Sequence, residues 1–189
     1  MMEKMSRKQR SLLVLFFIVA FLLLIIVGGF YAVKRYYPLE YKTVINEYSE
    51  KNGLDPYFVL AIVNTESRFD KDAESHVGAK GLMHLMPETG EWIASKIGEE
   101  IAEAALTDAE TNIRYGTWYL RYLLDMYGGD EICAMAAYNA GHSNVDKWLT
   151  EIPLDGSIDP ELIPFEETRN YVKKVNIAYE IYKALYPDI

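Results

Sequence analysis

Pro56-Tyr57-Phe58-Val59-Leu60-Ala61-Ile62-Val63-Asn64-Thr65-Glu66-Ser67-Arg68 decides how this chain is read. Val59, Ile62, Val63 and Glu66 fall at i, i+3, i+4 and i+7, the spacing of one helix face. Pro56 suits a first turn, where the missing N–H has no intrahelical partner to lose. The stripe carries a carboxylate in line with it near the helix C-terminus. Apolar surroundings and the negative end of the helix dipole both favour the protonated form of such a group. A carboxyl kept protonated near neutral pH can serve as a general acid. Spacing alone also allows Glu66 to lie just outside the stripe, in water.

Outward from this segment the same period persists. Helices are predicted over Leu39–Lys51, Pro56–Arg68, Pro87–Ile97, Asp108–Tyr127, Glu131–Ala140, Asn144–Leu149 and Glu166–Leu185. Asn52-Gly53 and Gly128-Gly129 read as stops, Pro87 as a first-turn residue, and Thr107 or Asp108 as an N-cap. No alternating pattern, internal repeat or low-complexity tract competes with them, so the fold class is mainly α. Asp70 to Met86 breaks the helical spacing and is expected to form a small irregular loop or β-turn region. Its Gly78 and Gly81 read as positions where the backbone turns tightly or approaches another group closely. A second break, from Ile152 to Pro164, holds Pro153, Pro160 and Pro164, which lower the entropy of a loop that keeps its shape.

The N-terminal part has another character. Leu12 to Val33 is a run of 22 residues without a charge, and about 20 apolar residues at 1.5 Å rise span a hydrocarbon core of roughly 30 Å. The expected division is a basic tail over 1–11, a transmembrane helix over 12–33 and a separate domain over 36–189. Four basic residues precede the run and two follow it, Lys34 and Arg35; this bias favours a cytoplasmic N-terminus and an extracytoplasmic domain. A cleaved signal peptide shares the basic start and apolar middle, with Val27-Gly28-Gly29 as a small-residue cleavage site. Its apolar region is ordinarily about 7–15 residues, shorter than this one.

The net charge of −9 divides unevenly, as 6 − 1 = +5 over residues 1–35 and 13 − 27 = −14 over the remainder. An acidic domain argues against nucleic acid, whose phosphates need clustered Lys and Arg. Cys133 is the only cysteine, so no intramolecular disulfide forms; in the run Ile132-Cys133-Ala134-Met135 it reads as a small buried hydrophobe. His76, His84 and His142 lack the close spacing of a metal site. Neither metal nor cofactor is expected.

Four ordered motifs carry a resemblance. Glu66-Ser67-Arg68-Phe69, followed by Ala73-Glu74-Ser75 and Gly78-Ala79-Lys80-Gly81-Leu82-Met83-His84-Leu85-Met86-Pro87, is the first. Tyr115-Gly116-Thr117-Trp118-Tyr119-Leu120, Ala137-Tyr138-Asn139-Ala140-Gly141 and Ile163-Pro164-Phe165-Glu166-Glu167-Thr168-Arg169-Asn170-Tyr171-Val172 complete the set. Over about residues 45–180 the chain resembles soluble-lytic-transglycosylase-type domains of the lysozyme-like superfamily. The resemblance implies a helical fold with a groove for the peptidoglycan glycan strand, alternating N-acetylglucosamine and N-acetylmuramic acid, and it places the lone catalytic carboxylate at Glu66. It implies that Glu66 protonates the leaving oxygen and then takes the proton of the muramic acid C6 hydroxyl, giving a 1,6-anhydro end. Neither water nor a second carboxylate is then required, unlike the usual two-carboxylate scheme.

Substrate contacts implied by the same matches are Ser75, His84, Met86, Tyr138, Asn139, Glu167 and Tyr171. His84 is a departure, because the family usually has glutamine there. Both side chains donate and accept hydrogen bonds, but imidazole gains charge below pH about 6.5. His84 is expected to contact sugar from the groove wall rather than to transfer protons. Asp70 and Asp72 could reach Glu66 from the following loop as a second carboxylate, but neither matches a catalytic position of the pattern. A hydrolytic muramidase and a non-catalytic wall-binding protein are the alternatives. No protein partner is indicated.

Overall fold

The computed structural model describes residues 7–151 and 158–189. Part of the expected basic tail and Pro153 of the second loop lie outside them. The chain divides into two compact units, residues 1–38 and 39–189.

The first unit is built on one helix, α1, Arg7–Tyr36, of 30 residues. It contains the expected 12–33 span, and at 1.5 Å per residue it is about 45 Å long. It is long and apolar enough to cross a membrane by length and composition.

The second unit runs α2 (Lys42–Lys51), α3 (Pro56–Glu66), α4 (Pro87–Ile97), a 3-10 turn (Glu103–Thr107), α5 (Ala109–Met126), α6 (Glu131–Ala140) and α7 (His142–Glu151). A second 3-10 turn (Pro160–Leu162) and α8 (Glu166–Leu185) complete it. The two 3-10 turns were not anticipated. Helix α7 begins two residues before the expected Asn144 and ends two after Leu149, and α2 begins at Lys42, after a left-handed Tyr41 (φ 51°).

Helix α3 is the centre of the unit, packing chiefly on α8 and also on α2. Phe58 is 4 % exposed and Val59 through Val63 are all 0 % exposed. The helix is therefore buried on every side up to Val63, and its apolar character is continuous rather than a stripe. Val59, Leu60, Ile62 and Val63 each contribute about 1.5–3 kcal/mol by leaving water, which is how a domain without a disulfide is held. Asp55 caps the helix by accepting the Tyr57 N–H at 2.9 Å; Asp108 and Asp130 do the same for Thr111 and Cys133 on α5 and α6. Cys133 lies in the core, and burial with the nearby Asp130 carboxylate pushes its thiol up to about 11.

The predicted end of α3 at Arg68 is corrected to Glu66. Arg68 (φ 54°) and Phe69 (φ 67°) take the left-handed conformation, at roughly 1–2 kcal/mol per residue. Phe69 offsets this by burying its ring beside Tyr182, centroids 6.5 Å apart.

The segment from Asp70 to Met86 is irregular, as expected, with isolated antiparallel bridges from Lys80 to Glu74 and to Leu85. One buried side chain on α5 organises it. The Asn112 carboxamide accepts the Met83 N–H at 2.7 Å and donates to the carbonyls of Lys80 (2.9 Å) and Leu106 (2.7 Å). Gly81 (φ 77°) lies directly against this group, and a Cβ there would overlap the Leu106 carbonyl oxygen and Asn112 Nδ2. The close approach read at Gly81 is thus to the protein's own Asn112, not to a ligand.

Candidate active site

Glu66 closes the last turn of α3, where the buried helix reaches the surface, so its carboxylate stands on an apolar base with its side chain only 12 % exposed. Ser67, the next residue, donates its hydroxyl to the Leu82 carbonyl at 2.8 Å. That bond ties the end of α3 to the loop opposite. The loop is further clamped on α5 and α6: Asn112 holds the Met83 N–H, and the Tyr138 hydroxyl donates to the Met83 carbonyl at 2.8 Å. His84 follows in a left-handed conformation (φ 46°) with its N–H on the Gly81 carbonyl at 3.1 Å. A non-glycine residue held there stores about 1–3 kcal/mol and persists only where its surroundings over-determine it.

This construction aims His84 at Glu66, with Nδ1 3.2 Å from Oε2. The sequence reading had put His84 against sugar alone. A cleft of about 390 Å³ lies around the pair, and all eight residues read from sequence line it: Glu66, Ser75, His84, Met86, Tyr138, Asn139, Glu167 and Tyr171. Ser75 both turns the chain and faces the cleft, since its hydroxyl oxygen accepts the Ala79 N–H at 2.9 Å and keeps its own proton to donate. The Asn139 carbonyl oxygen accepts from Thr168 at 2.7 Å, which fixes the carboxamide and leaves its NH2 without a partner among the described residues.

Two phenols complete the surroundings of the carboxylate. Burial, and then the charge of Glu66, hold both Tyr138 and Tyr171 well above the usual tyrosine range. Both therefore remain neutral donors throughout the physiological range. The Tyr171 hydroxyl is buried with no hydrogen-bond partner among the described residues, yet it lies within the electrostatic reach of Glu66. It is a donor available to the carboxylate or to a ligand.

Thr65, His76, Val77, Ala79 and Lys174 also line the cleft and were not assigned to it from sequence. Lys174 was within reach of that reading, at i+3 from Tyr171 and i+7 from Glu167 on one face of α8. Asp70 and Asp72 do not line it: Asp70 Oδ1 accepts the Asp72 N–H at 3.0 Å, and Asp72 pairs with Lys71 at 2.8 Å. Glu167 is the second carboxylate in the cleft. The Tyr138 ring meets Tyr119 at 5.6 Å, and Tyr119 with Trp92 and Tyr122 lines a smaller concavity of about 240 Å³. Among the described residues no group of three or more His, Cys, Asp or Glu side chains converges to hold a metal ion.

A helical domain that presents one shielded carboxyl, flanked by neutral donors, at the base of a polar cleft has the layout of an acid–base site. The transglycosylase SLT domain family matches residues 43–153, and the chain belongs to that family. It is 37 % identical to the soluble lytic murein transglycosylase of Salmonella typhimurium over 150 residues, covering 77 % of this chain and 23 % of the relative. The membrane-bound lytic murein transglycosylase C of Cronobacter sakazakii is 28 % identical over 167 residues, covering 76 % of this chain and 46 % of its own. The solved 70-kDa soluble lytic transglycosylase of Escherichia coli superposes with a TM-score of 0.77 at 34 % identity, over 87 % of this chain and 27 % of that one. The chain thus spans about a quarter of the soluble relatives' length.

Proposed function

We propose that this protein is a peptidoglycan lytic transglycosylase, tethered to the cell membrane through α1 with its helical domain on the extracytoplasmic side. The observation that carries the activity is Glu66, a shielded carboxyl in a cleft whose other proton donors, Tyr138 and Tyr171, are held neutral. Glu66 protonates the oxygen leaving C1 of the muramic acid. It then takes the proton of that sugar's C6 hydroxyl as O6 bonds to C1. One C–O bond breaks and one forms, the proton from Glu66 ends on the departing sugar, the proton of O6 regenerates the Glu66 carboxyl, and no water is consumed. General acid–base assistance of this kind contributes about 10²–10⁴-fold in rate. The Asn139 NH2 and the Ser75 hydroxyl are suited to the amide and hydroxyl oxygens of such a substrate.

Hydrolysis of the same bond is the second reading, and Glu167 is the observation behind it, because a second cleft carboxylate is what a water-activating base requires. The test is mass spectrometry of digested cell wall. Transglycosylation leaves anhydro ends, lighter by one water than the reducing ends of hydrolysis. Glu66→Gln is expected to abolish either product, and unchanged cleavage by that variant would refute the site. Anchoring and orientation are tested by fractionation and by adding protease to protoplasts. The domain is expected to be removed from outside, and its protection would reverse the orientation.

A further inference from the structure

We propose that Lys174 is a specificity-determining residue of the cleft, binding a carboxylate carried on the lactyl arm of the muramic acid. The proposal rests on the reading of the cleft as a peptidoglycan glycan site. Its basis is an exposed lysine that lines the cleft from α8, one turn beyond Tyr171, and has no hydrogen bond or ion pair among the described residues.

The other lysines of the domain are treated differently. Lys51, Lys71, Lys80, Lys147 and Lys173 each stand 2.6–3.8 Å from a carboxylate oxygen. Lys80 lies between two of them, Glu74 at 3.5 Å and Glu103 at 3.2 Å. Lys173, the residue before Lys174, reaches Glu161 at 2.7 Å. With 13 basic against 27 acidic side chains over residues 36–189, a lysine readily meets a partner. Lys174 meets none among the described residues because the helix turns it to the cleft face, at i+3 from Tyr171 and i+7 from Glu167.

The chemistry of the strand gives a free cation something to bind. The sugar rings are neutral, and the anionic groups sit on the lactyl ether at O3 of muramic acid. On a peptide-free strand this arm ends in its own carboxylate; on a substituted strand it is amidated and the carboxylates belong to the stem peptide. An acidic domain, with Glu167 in its cleft, repels both. Lys174 is the sole lysine or arginine among the described lining residues. Its compact ammonium offers three donors on a flexible stem, which suits a carboxylate on a mobile arm. A strand without carboxylates gains nothing from that contact, so Lys174 discriminates the charged arm from a neutral one.

The experiment uses the full chain in detergent and three preparations of glycan strands. The first keeps its stem peptides, the second is stripped by an amidase that frees the lactyl carboxylate, and the third is the stripped strand with its carboxylates converted to neutral amides. Cleavage is counted from new ends of either kind, anhydro or reducing. Lys174→Gln is expected to raise KM about five- to tenfold on carboxylate-bearing strands, the span from an exposed ion pair to a charge-assisted hydrogen bond. Its kcat should stay near wild type, and on the amidated strands the two proteins should match. A KM penalty confined to stripped strands assigns the lactyl carboxylate, and one confined to substituted strands assigns the peptide. Lys174→Arg keeps the charge and should recover most of the loss, Lys173→Gln should behave as wild type, and added salt should narrow the gap between wild type and Lys174→Gln. Binding of the same strands by Glu66→Gln, with and without Lys174→Gln, reads the contact without turnover. An equal penalty on all three preparations, or none on any, overturns the proposal. If wild type leaves reducing ends alone, the transglycosylase reading falls while the Lys174 comparison is still read; if anhydro ends form and Lys174→Gln matches wild type throughout, only this proposal falls.

Discussion

Replacing Gly81 by alanine should damage the domain far more than the same change at Gly78, although both glycines have positive φ, 77° and 88°. Each variant costs about 1–2 kcal/mol for placing a Cβ in the left-handed region. At Gly78 nothing among the described residues lies within 4 Å of the added carbon, so the cost ends there. At Gly81 the carbon overlaps Asn112 Nδ2 and the Leu106 carbonyl, and Asn112 can yield only by giving up its bonds to Lys80 and Leu106. Leaving buried partners of this kind unsatisfied adds about 1–3 kcal/mol. The total for Gly81→Ala is about 2–5 kcal/mol, and at about 2–4 °C per kcal/mol for a chain of this size the melting temperature falls by about 4–20 °C. Gly78→Ala should lose about half as much or less. Thermal unfolding followed by far-ultraviolet circular dichroism measures both. Equal losses in the two variants would refute the assignment of Asn112 as the clamp.

Tyr138→Phe removes the donor to the Met83 carbonyl and should lower stability by about 1 kcal/mol while lowering kcat more than it alters KM, as steady-state kinetics on purified wall can read. Thr168→Val frees the Asn139 carboxamide that Thr168 now orients at 2.7 Å; KM should rise several-fold with melting nearly unchanged. Asp108→Ala should cost about 1 kcal/mol as a lost N-cap. Hydrogen bonds from the Thr111 backbone and side chain hold the Asp108 carboxyl below its ordinary value, so its contribution is present at neutral pH and is lost as pH falls through the folded-state value. Melting of wild type and variant should therefore converge in acid, and a gap that persists there would contradict this.

The helices were legible because each carries its own punctuation: Pro56, Pro87, Asp108 and the paired glycines act within a few residues of where they stand. The cleft residues were legible for a different reason, since three of the four motifs bring α3, the loop, α6 and α8 to one place. What escaped was the contact between segments. Asn112 sits between Thr111 and Ile113 in an ordinary helical sequence, and nothing local marks it as the clamp of a loop some 30 positions earlier (29 to Met83 and 32 to Lys80). The His84 contact to Glu66 depends on a left-handed turn that sterics disfavour, so no propensity announces it. The stripe on α3 was over-read, because a helix buried on all sides up to Val63 leaves no periodicity to find.

Cys133 turns the chain into its own reporter of native-state opening. It is the only cysteine, it is 3 % exposed, and with its thiol pushed up to about 11 little thiolate is present near pH 8. A thiol reagent can therefore reach it only when the core around α6 opens, and the labelling rate measures how often that happens. Tyr138 and Asn139 lie five and six residues further along the same helix. A saccharide that binds the closed form should slow labelling in proportion to its occupancy, giving a binding assay in intact membranes that needs neither turnover nor an introduced probe.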